Sequence, residues 1–251
     1  MQRSILLYPA GATPAIQYAS HILSQRGVPL TDHPSPDITH LLLDVPSFQP
    51  GGELRGGGRM EPLLDRLPSG IVILGGNLTH SGLAAFSCVD LLKDPLYAAL
   101  NARITAHCAL RAASEGMSRT FDALPVLILG WGRIGKCLAA LLKSMGADVT
   151  VAARKPSDRA MLQALGYGAS APELLSGSLS RYRVLFNTIP AEILAEADLK
   201  QCGSCLKIDL ASGSALPGPD VIQANGLPGR YAPESSGELI AETVIRLIKG
   251  V

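Results

Sequence analysis

Apolar residues fall along the chain in short unbroken runs separated by longer stretches with helical spacing. In the first half, "SILLY" (Ser4–Tyr8), "THLLLDV" (Thr39–Val45) and "GIVILGG" (Gly70–Gly76) are such runs and predict buried strands. Between the first two, "TPAIQYASHILSQRG" repeats its apolar residues at helical spacing and stops on Gly27, which predicts a helix. "PSFQPGGELRGGGRM" (Pro46–Met60) is rich in glycine and proline and predicts a mobile loop. "DPLYAALNARITAHCALRAASEGM" predicts a long helix, broken near Asn101, that leads into the second half.

The second half repeats the alternation from Pro125. "PVLILG" is a strand without polar interruption, as in a parallel sheet covered on both faces. "RIGKCLAALLKSMG" places Ile134, Leu138, Leu141, Leu142 and Met145 on one helical face and ends at Gly146. "ADVTVAAR" is the next strand, and "SDRAMLQALGY" the next helix, with Ser157 as its expected N-cap and Met161 in its core face. "RVLFNTIP" and "CLKIDLAS" are strands with polar ends, and "SGELIAETVIRLIKG" is an amphipathic terminal helix. The expected fold class is α/β: two Rossmann-like doubly wound parallel-sheet domains with a nucleotide cleft between them. Residues 1–120 form the substrate or partner domain, 121–232 the nucleotide domain, and helix 233–251 packs back on the first.

Composition narrows the function. A chain of 251 residues, 47% of them hydrophobic, supports one large or two small cores. The net charge of +1 provides no global field for nucleic acid or membranes, and 4% aromatics is too few for a base-stacking platform. Pro9 and Gly11 interrupt the opening apolar run too early for a signal peptide, and no later run reaches a membrane span. Five scattered cysteines fit a reducing compartment, so a cytoplasmic protein is expected.

The candidate chemistry centres on "GWGRIG", Gly130 to Gly135, a G-x-G-x-x-G that follows a strand and opens a helix. Gly130 permits the tight turn, Gly132 lets backbone approach a pyrophosphate, and Gly135 lets helix and strand pack closely. Arg133 and Ile134 complete the loop, and the helix N-terminus offers N–H groups to the anion. The alternative is a glycine-rich turn with no ligand. An NAD site carries an acidic residue about 20 residues further on, which would repel a 2′-phosphate. Here "TVAARKP" has Ala152 and Ala153 followed by Arg154 and Lys155. A guanidinium grips a phosphate bidentately, so NADP is expected over NAD. The other reading of Arg154 is a solvated charge at a strand end.

"GWGRIGKCLAALLKSMGADVTVAAR", "FNTIPAEIL", "IDLASGSA" and "GLPGRYAPESSGELIAETV" resemble the A-subunit family of dipicolinate synthase, and the run Asn101–Gly130 aligns without gaps. The resemblance is strong from Asn101 onward and only topological before it. It implies two Rossmann-like domains similar to D-2-hydroxyacid dehydrogenases. It also implies oxidation of 4-hydroxy-tetrahydrodipicolinate, or its dehydrated form, to dipicolinate, with NADP+ taking the hydride. The implied partner is the flavoprotein-like B subunit of dipicolinate synthase, in the mother cell of a spore-forming bacterium. Two features depart from the family. Its linker helix begins Pro-Thr-x-Glu-Gly, where this chain reads Ile104-Thr105-Ala106-His107-Cys108. The first domain is also shorter than the family norm.

In such folds ligands sit outside the carboxyl ends of the strands, which selects Asn187, Thr188, Pro190, Asp209 and Ser212. Thr188 is expected near the nicotinamide ribose. Asn187 reads equally as a turn former, and Asp209 equally as a residue holding the loop. Gly226, Pro228 and Gly229 shape a turn near the cofactor. Ser235 and Ser236 stand near a helix start that favours a carboxylate. Arg103, Arg133 and Arg230 are candidate partners for a small dicarboxylate, or surface charges. His107 suits proton removal, since imidazoles titrate near neutral pH, and reads equally as a helix histidine satisfied by a neighbour. "CGSC" (Cys202–Cys205) supplies half a zinc site without a second pair, so no metal is expected. Paired Rossmann subunits commonly associate, and a homodimer is one expected assembly. The competing functions are a dehydrogenase of another small carboxylate and a non-catalytic nucleotide-binding paralogue.

Overall fold

The computed structural model describes residues 4–211, 213 and 215–250. The chain forms two compact units: the residues up to Asn101 together with those from Pro228 onward, and Ala102–Leu227. The first unit contains β1 (Leu7–Pro9), α1 (Pro14–Gln25), β2 (His40–Leu42), α2 (Glu61–Leu64), β3 (Val72–Gly75) and β4 (Ser87–Asp90), and the long α3 (Pro95–Glu115) starts in it. The second contains β5 (Pro125–Leu129), α4 (Arg133–Ser144), β6 (Asp148–Ala152), α5 (Pro156–Ala164), β7 (Gly168–Ser170), β8 (Val184–Asn187), α6 (Glu196–Lys200), β9 (Leu206–Asp209) and β10 (Val221–Gln223). The short α7 (Leu227–Tyr231) and α8 (Pro233–Lys249) follow. Among the described residues, no helix is long and apolar enough to cross a membrane.

In the first unit the sheet is parallel with order β1-β2-β3-β4. Leu41, Leu43, Ile71 and Ile73 make its core with Met60. Asp44, buried just past β2, accepts the N–H groups of Ala12 and Thr13 and the Thr13 hydroxyl. A carboxylate from the sheet thereby serves orphan donors at the start of α1, where Thr13 makes no cap of its own. Helix α8 lies along α1. Tyr18 donates to Glu234 at 3.0 Å, and Arg246 pairs with Asp94 at 2.8 Å. Gly237 makes the close approach of the two helices possible, because a Cβ there would lie 2.6 Å from the Ala15 carbonyl oxygen and from Tyr18 Cβ.

In the second unit the order is β10-β9-β8-β5-β6-β7, all parallel. From β5 the chain winds outward to β6 and β7, then crosses back to β8 and winds the other way. A strand order that reverses opens a crevice at the carboxyl ends of β5 and β8. Leu127, Leu129 and Leu185 are fully buried within the apolar core, as their uninterrupted runs require.

Pro46–Met60 is a loop of turns and bends, as its glycines and prolines predict. Phe48 bridges Leu54, the Gln49 N–H donates to the Glu53 carbonyl, and Met60 is fully buried, so apolar side chains anchor a glycine-rich segment. Helix α3 runs unbroken through Asn101, because one asparagine costs less than a kcal/mol among alanines and leucines. Helix α5 begins at Pro156 with Lys155 as the flanking residue, which puts Ser157 inside the first turn; proline's fixed φ favours the first helical position. The buried stripe of α4 is Gly135, Leu138, Ala139 and Leu142, with Met145 45% exposed. On α5 Leu162 alone is buried and Met161 is 56% exposed, since this helix covers the sheet through a single row.

Gly237→Ala is expected to lower stability by about 1–3 kcal/mol through overpacking of α8 on α1. Urea unfolding monitored by circular dichroism reads the change, and an unchanged midpoint contradicts it.

Candidate functional site

The site is assembled at the carboxyl ends of β5, β6, β8 and β9. Past Leu129 the chain turns at Gly130, whose φ of 105° lies in the left-handed region that favours glycine. A Cβ on Gly130 would stand 2.5 Å from Thr188 Oγ1. A Cβ on Gly135 would stand 2.2 Å from the Gly130 carbonyl oxygen, so only glycine lets α4 come this close to the turn. Gly132, which flanks α4, differs from both: nothing lies within 4 Å of where its Cβ would be. The loop is therefore closed on its inner side and open at Gly132. The unsatisfied N–H groups of the first turn of α4 belong to this same segment. Arg133 is exposed, Ile134 half-buried and Gly135 buried.

Beyond β6, Ala152 and Ala153 are buried, and Arg154 and Lys155 are exposed. Among the described residues, no carboxylate forms an ion pair with either cation. Arg159, one turn into α5, donates through Nη1 to the carbonyls of Ala153 at 2.8 Å and Arg154 at 2.6 Å. This guanidinium braces the bend that carries the two cations. Sequence reasoning passed over it; its position four residues past Lys155, on the first turn of the following helix, was the available signal. Sequence reasoning also passed over Trp131 inside the fingerprint. Its ring meets Tyr167 edge-on with centroids 6.0 Å apart, and Lys136 Nζ lies 5.7 Å from its centroid.

At the ends of β8 and β9 two fully buried polar side chains meet. Asn187 Nδ2 donates to Asp209 Oδ1 at 2.9 Å and to the Ile189 carbonyl at 3.0 Å, and the Ile189 N–H returns a bond to Asn187 Oδ1. Asp209 also accepts the N–H groups of Ala211, Ala215 and Leu216. Of the open readings of these residues, turn former and loop holder match this geometry. Neither side chain faces outward, and any part they have in binding runs through the loops they hold. Thr188 is half-buried and donates its hydroxyl to the Leu129 carbonyl at 2.8 Å, which joins the β8 loop to the β5 turn. Its oxygen keeps acceptor capacity. Pro190 is exposed just beyond. Ser212 lies outside the described residues.

Gly226 is an exposed turn residue, while Pro228 and Gly229 belong to α7 rather than to the turn, because the helix starts at Leu227. Arg230 is exposed with its guanidinium 5.1 Å from the Tyr231 ring centroid. Arg103 and His107 are exposed one turn apart on α3. Ser235 is exposed near the start of α8. Ser236 is buried with a hydroxyl that lacks a partner, which corrects the expectation that both serines offer hydroxyls at a helix end. Helical rotation turns one of two successive residues inward. Among the described residues, no group of three or more histidine, cysteine or acidic side chains is placed to hold a metal ion.

An open backbone cradle at a helix start, followed by cations without acidic partners at the neighbouring strand end, fits a nicotinamide dinucleotide. No family model matches the chain. The A subunit of dipicolinate synthase from Bacillus subtilis is 28% identical over 199 residues, 74% of this chain and 67% of the relative. The chain is similar to the dipicolinate synthase A subunit. The crystal structure of the Bacillus subtilis protein superposes with a TM-score of 0.84 and 22% identity, covering 100% of this chain and 97% of that one. The A subunit from Bacillus halodurans gives 0.86 and 21%, covering 99% of each. These superpositions show the α/β fold.

Asp209→Asn is expected to cost about 3 kcal/mol, because the amide cannot accept from every N–H donor that the carboxylate serves. Chemical denaturation measures the loss, and a change below about 0.5 kcal/mol contradicts the loop-holding role.

Proposed function

We propose that the chain is the coenzyme-binding component of a dipicolinate synthase and oxidises 4-hydroxy-tetrahydrodipicolinate, or its dehydrated form, to dipicolinate with NADP+. The observation that carries this reading is the 199-residue match to the dipicolinate synthase A subunit, which covers 74% of this chain. Bound NADP+ would supply the hydride acceptor. The chain's own residues then divide the remaining work. Gly130 to Gly135 hold the pyrophosphate, with Arg133 beside it, and Arg154 and Lys155 grip the 2′-phosphate on the bend that Arg159 braces. Thr188, with the loop through Pro190, meets the nicotinamide ribose, and Gly226 and Pro228 border the coenzyme. Arg103, Arg230 and Ser235 take the substrate carboxylates, and His107 accepts the ring proton. Aromatisation favours product, so orientation of the ring matters more than activation.

The flavoprotein-like B subunit of dipicolinate synthase is the proposed partner, and the mother cell of a spore-forming bacterium the proposed setting, with a homodimer as one assembly. A second reading, a dehydrogenase of another small carboxylate, is favoured by His107 standing where the family carries a carboxylate. Steady-state assay with the B subunit present separates the two: the synthase reading expects an NADP+-dependent rise in dipicolinate absorbance, and no rise removes it.

Trp131 is the one tryptophan of the chain and sits inside the cradle, so its fluorescence reports coenzyme binding. Arg154→Asp is expected to raise the Kd for NADP+ about tenfold or more, about 1.4 kcal/mol per decade, and to shift preference towards NAD+. Unchanged preference contradicts phosphate recognition by this residue.

A further inference from the structure

The nucleotide site leaves one chemical group of the second unit unused. It lies at the opposite end of β9 from Asp209. Just past α6, residues Cys202 to Cys205 form a turn closed by the Cys205 N–H, which donates to the Cys202 carbonyl at 3.0 Å. Gly203 supplies the φ of 53°. A turn closed this way holds its end α-carbons within about 7 Å, which overlaps the range a disulfide spans. The Cys205 thiol donates to the Leu206 carbonyl oxygen at 3.6 Å. The side chains are 3% and 5% exposed, yet the turn between them is open on two sides. Gly203 lines a cleft of about 220 Å³ with Leu199, Lys200 and Lys207. Ser204 lines another of about 340 Å³ with Arg119 and Arg183. Lys207 is buried and donates to the Cys205 carbonyl at 3.3 Å, which puts a cation beside the pair.

We propose that Cys202 and Cys205 are a two-electron dithiol/disulfide couple, a modification site oxidised by a small hydroperoxide. The two sulfurs have different roles. The neighbouring Cys205 thiol and the Lys207 cation lower the Cys202 thiol to about 7 against the opposing effect of burial. Cys202 and burial push the Cys205 thiol up. Cys202 is the attacking thiolate and Cys205 the resolving thiol. The Cys202 sulfur attacks one peroxide oxygen. The O–O bond breaks, an S–O bond forms, and the departing hydroxide takes a proton and leaves as water. Cys205 then loses its proton and attacks the Cys202 sulfur. The S–S bond forms as the S–O bond breaks, and a second water leaves. The two sulfurs lose two electrons and the peroxide gains them. Burial raises the Cys88 thiol, and it raises the Cys108 thiol against a smaller opposing effect of Arg111.

The test treats the full-length protein with hydrogen peroxide, caps remaining thiols with N-ethylmaleimide and maps tryptic peptides without reduction. Cleavage after Lys200 and Lys207 releases both cysteines in one peptide, Gln201 to Lys207. The couple expects that peptide to appear two hydrogens lighter and uncapped, about tenfold faster than oxidation at Cys88, Cys108 or Cys137. In Cys205→Ser, sulfenic acid should accumulate on Cys202 and be trapped by dimedone; in Cys202→Ser, Cys205 should stay unlabelled. A doubly capped peptide while other cysteines oxidise overturns the proposal, as does a folded Cys205→Ser protein without the dimedone adduct. The wild-type arm is decisive even if a variant fails to fold.

Discussion

The contact between Gly135 and the Gly130 carbonyl is the constraint on which the candidate nucleotide site depends. Any side chain at position 135 would have to occupy space 2.2 Å from that oxygen. With glycine there, α4 starts directly at the end of β5, and its first turn presents unsatisfied N–H groups where the sheet's order reverses. Thr188 closes the same contact from the other side, since its hydroxyl sits against Gly130 and bonds the last residue of β5. Turn, helix and the β8 loop are therefore one unit, and the opening at Gly132 is what remains accessible.

Two further devices hold the rim of this crevice, and they differ in kind. At β8 and β9 the work is done by burial: Asn187 and Asp209 satisfy each other and the backbone of two loops, and in a low-dielectric setting such a network is rigid because each unmade bond is costly. At β6 the work is done at the surface. Arg159 spends its guanidinium on two carbonyls, and among the described residues no carboxylate pairs with Arg154 or Lys155. A buried network suits a fixed loop, and an exposed pair of cations suits a phosphate that must enter and leave. Asp44 repeats the buried device in the first unit at the start of α1, so strand-end carboxylates serving backbone donors recur in both sheets.

The strand–helix alternation, the parallel sheets and the glycine cradle were legible in the sequence because each rests on local chemistry. An uninterrupted apolar run has to be covered on both faces, and a G-x-G-x-x-G between strand and helix has few other uses. Edge strands β7 and β10 were not legible, since Gly168–Ser170 and Val221–Gln223 lack the unbroken apolar runs that mark the equally short β1 and β2. Nor was the anchoring of the Pro46–Met60 loop, since Phe48, Leu54 and Met60 pack against residues distant in the chain. The helix starts differed for a smaller reason, as Pro156 outcompetes a serine as the starting signal.

By itself the sequence determined which residue types stand at the strand ends: glycines after β5, cations after β6, Asn187 and Asp209 after β8 and β9. Only the tertiary structure decided which way those side chains turn. Asn187 and Asp209 point inward to each other, Ser236 is buried while Ser235 is exposed, and Arg159 reaches back to brace its neighbours. The reason is that residue identity limits what a side chain can bond, whereas direction is set by packing across elements far apart in the chain, and no local pattern encodes that.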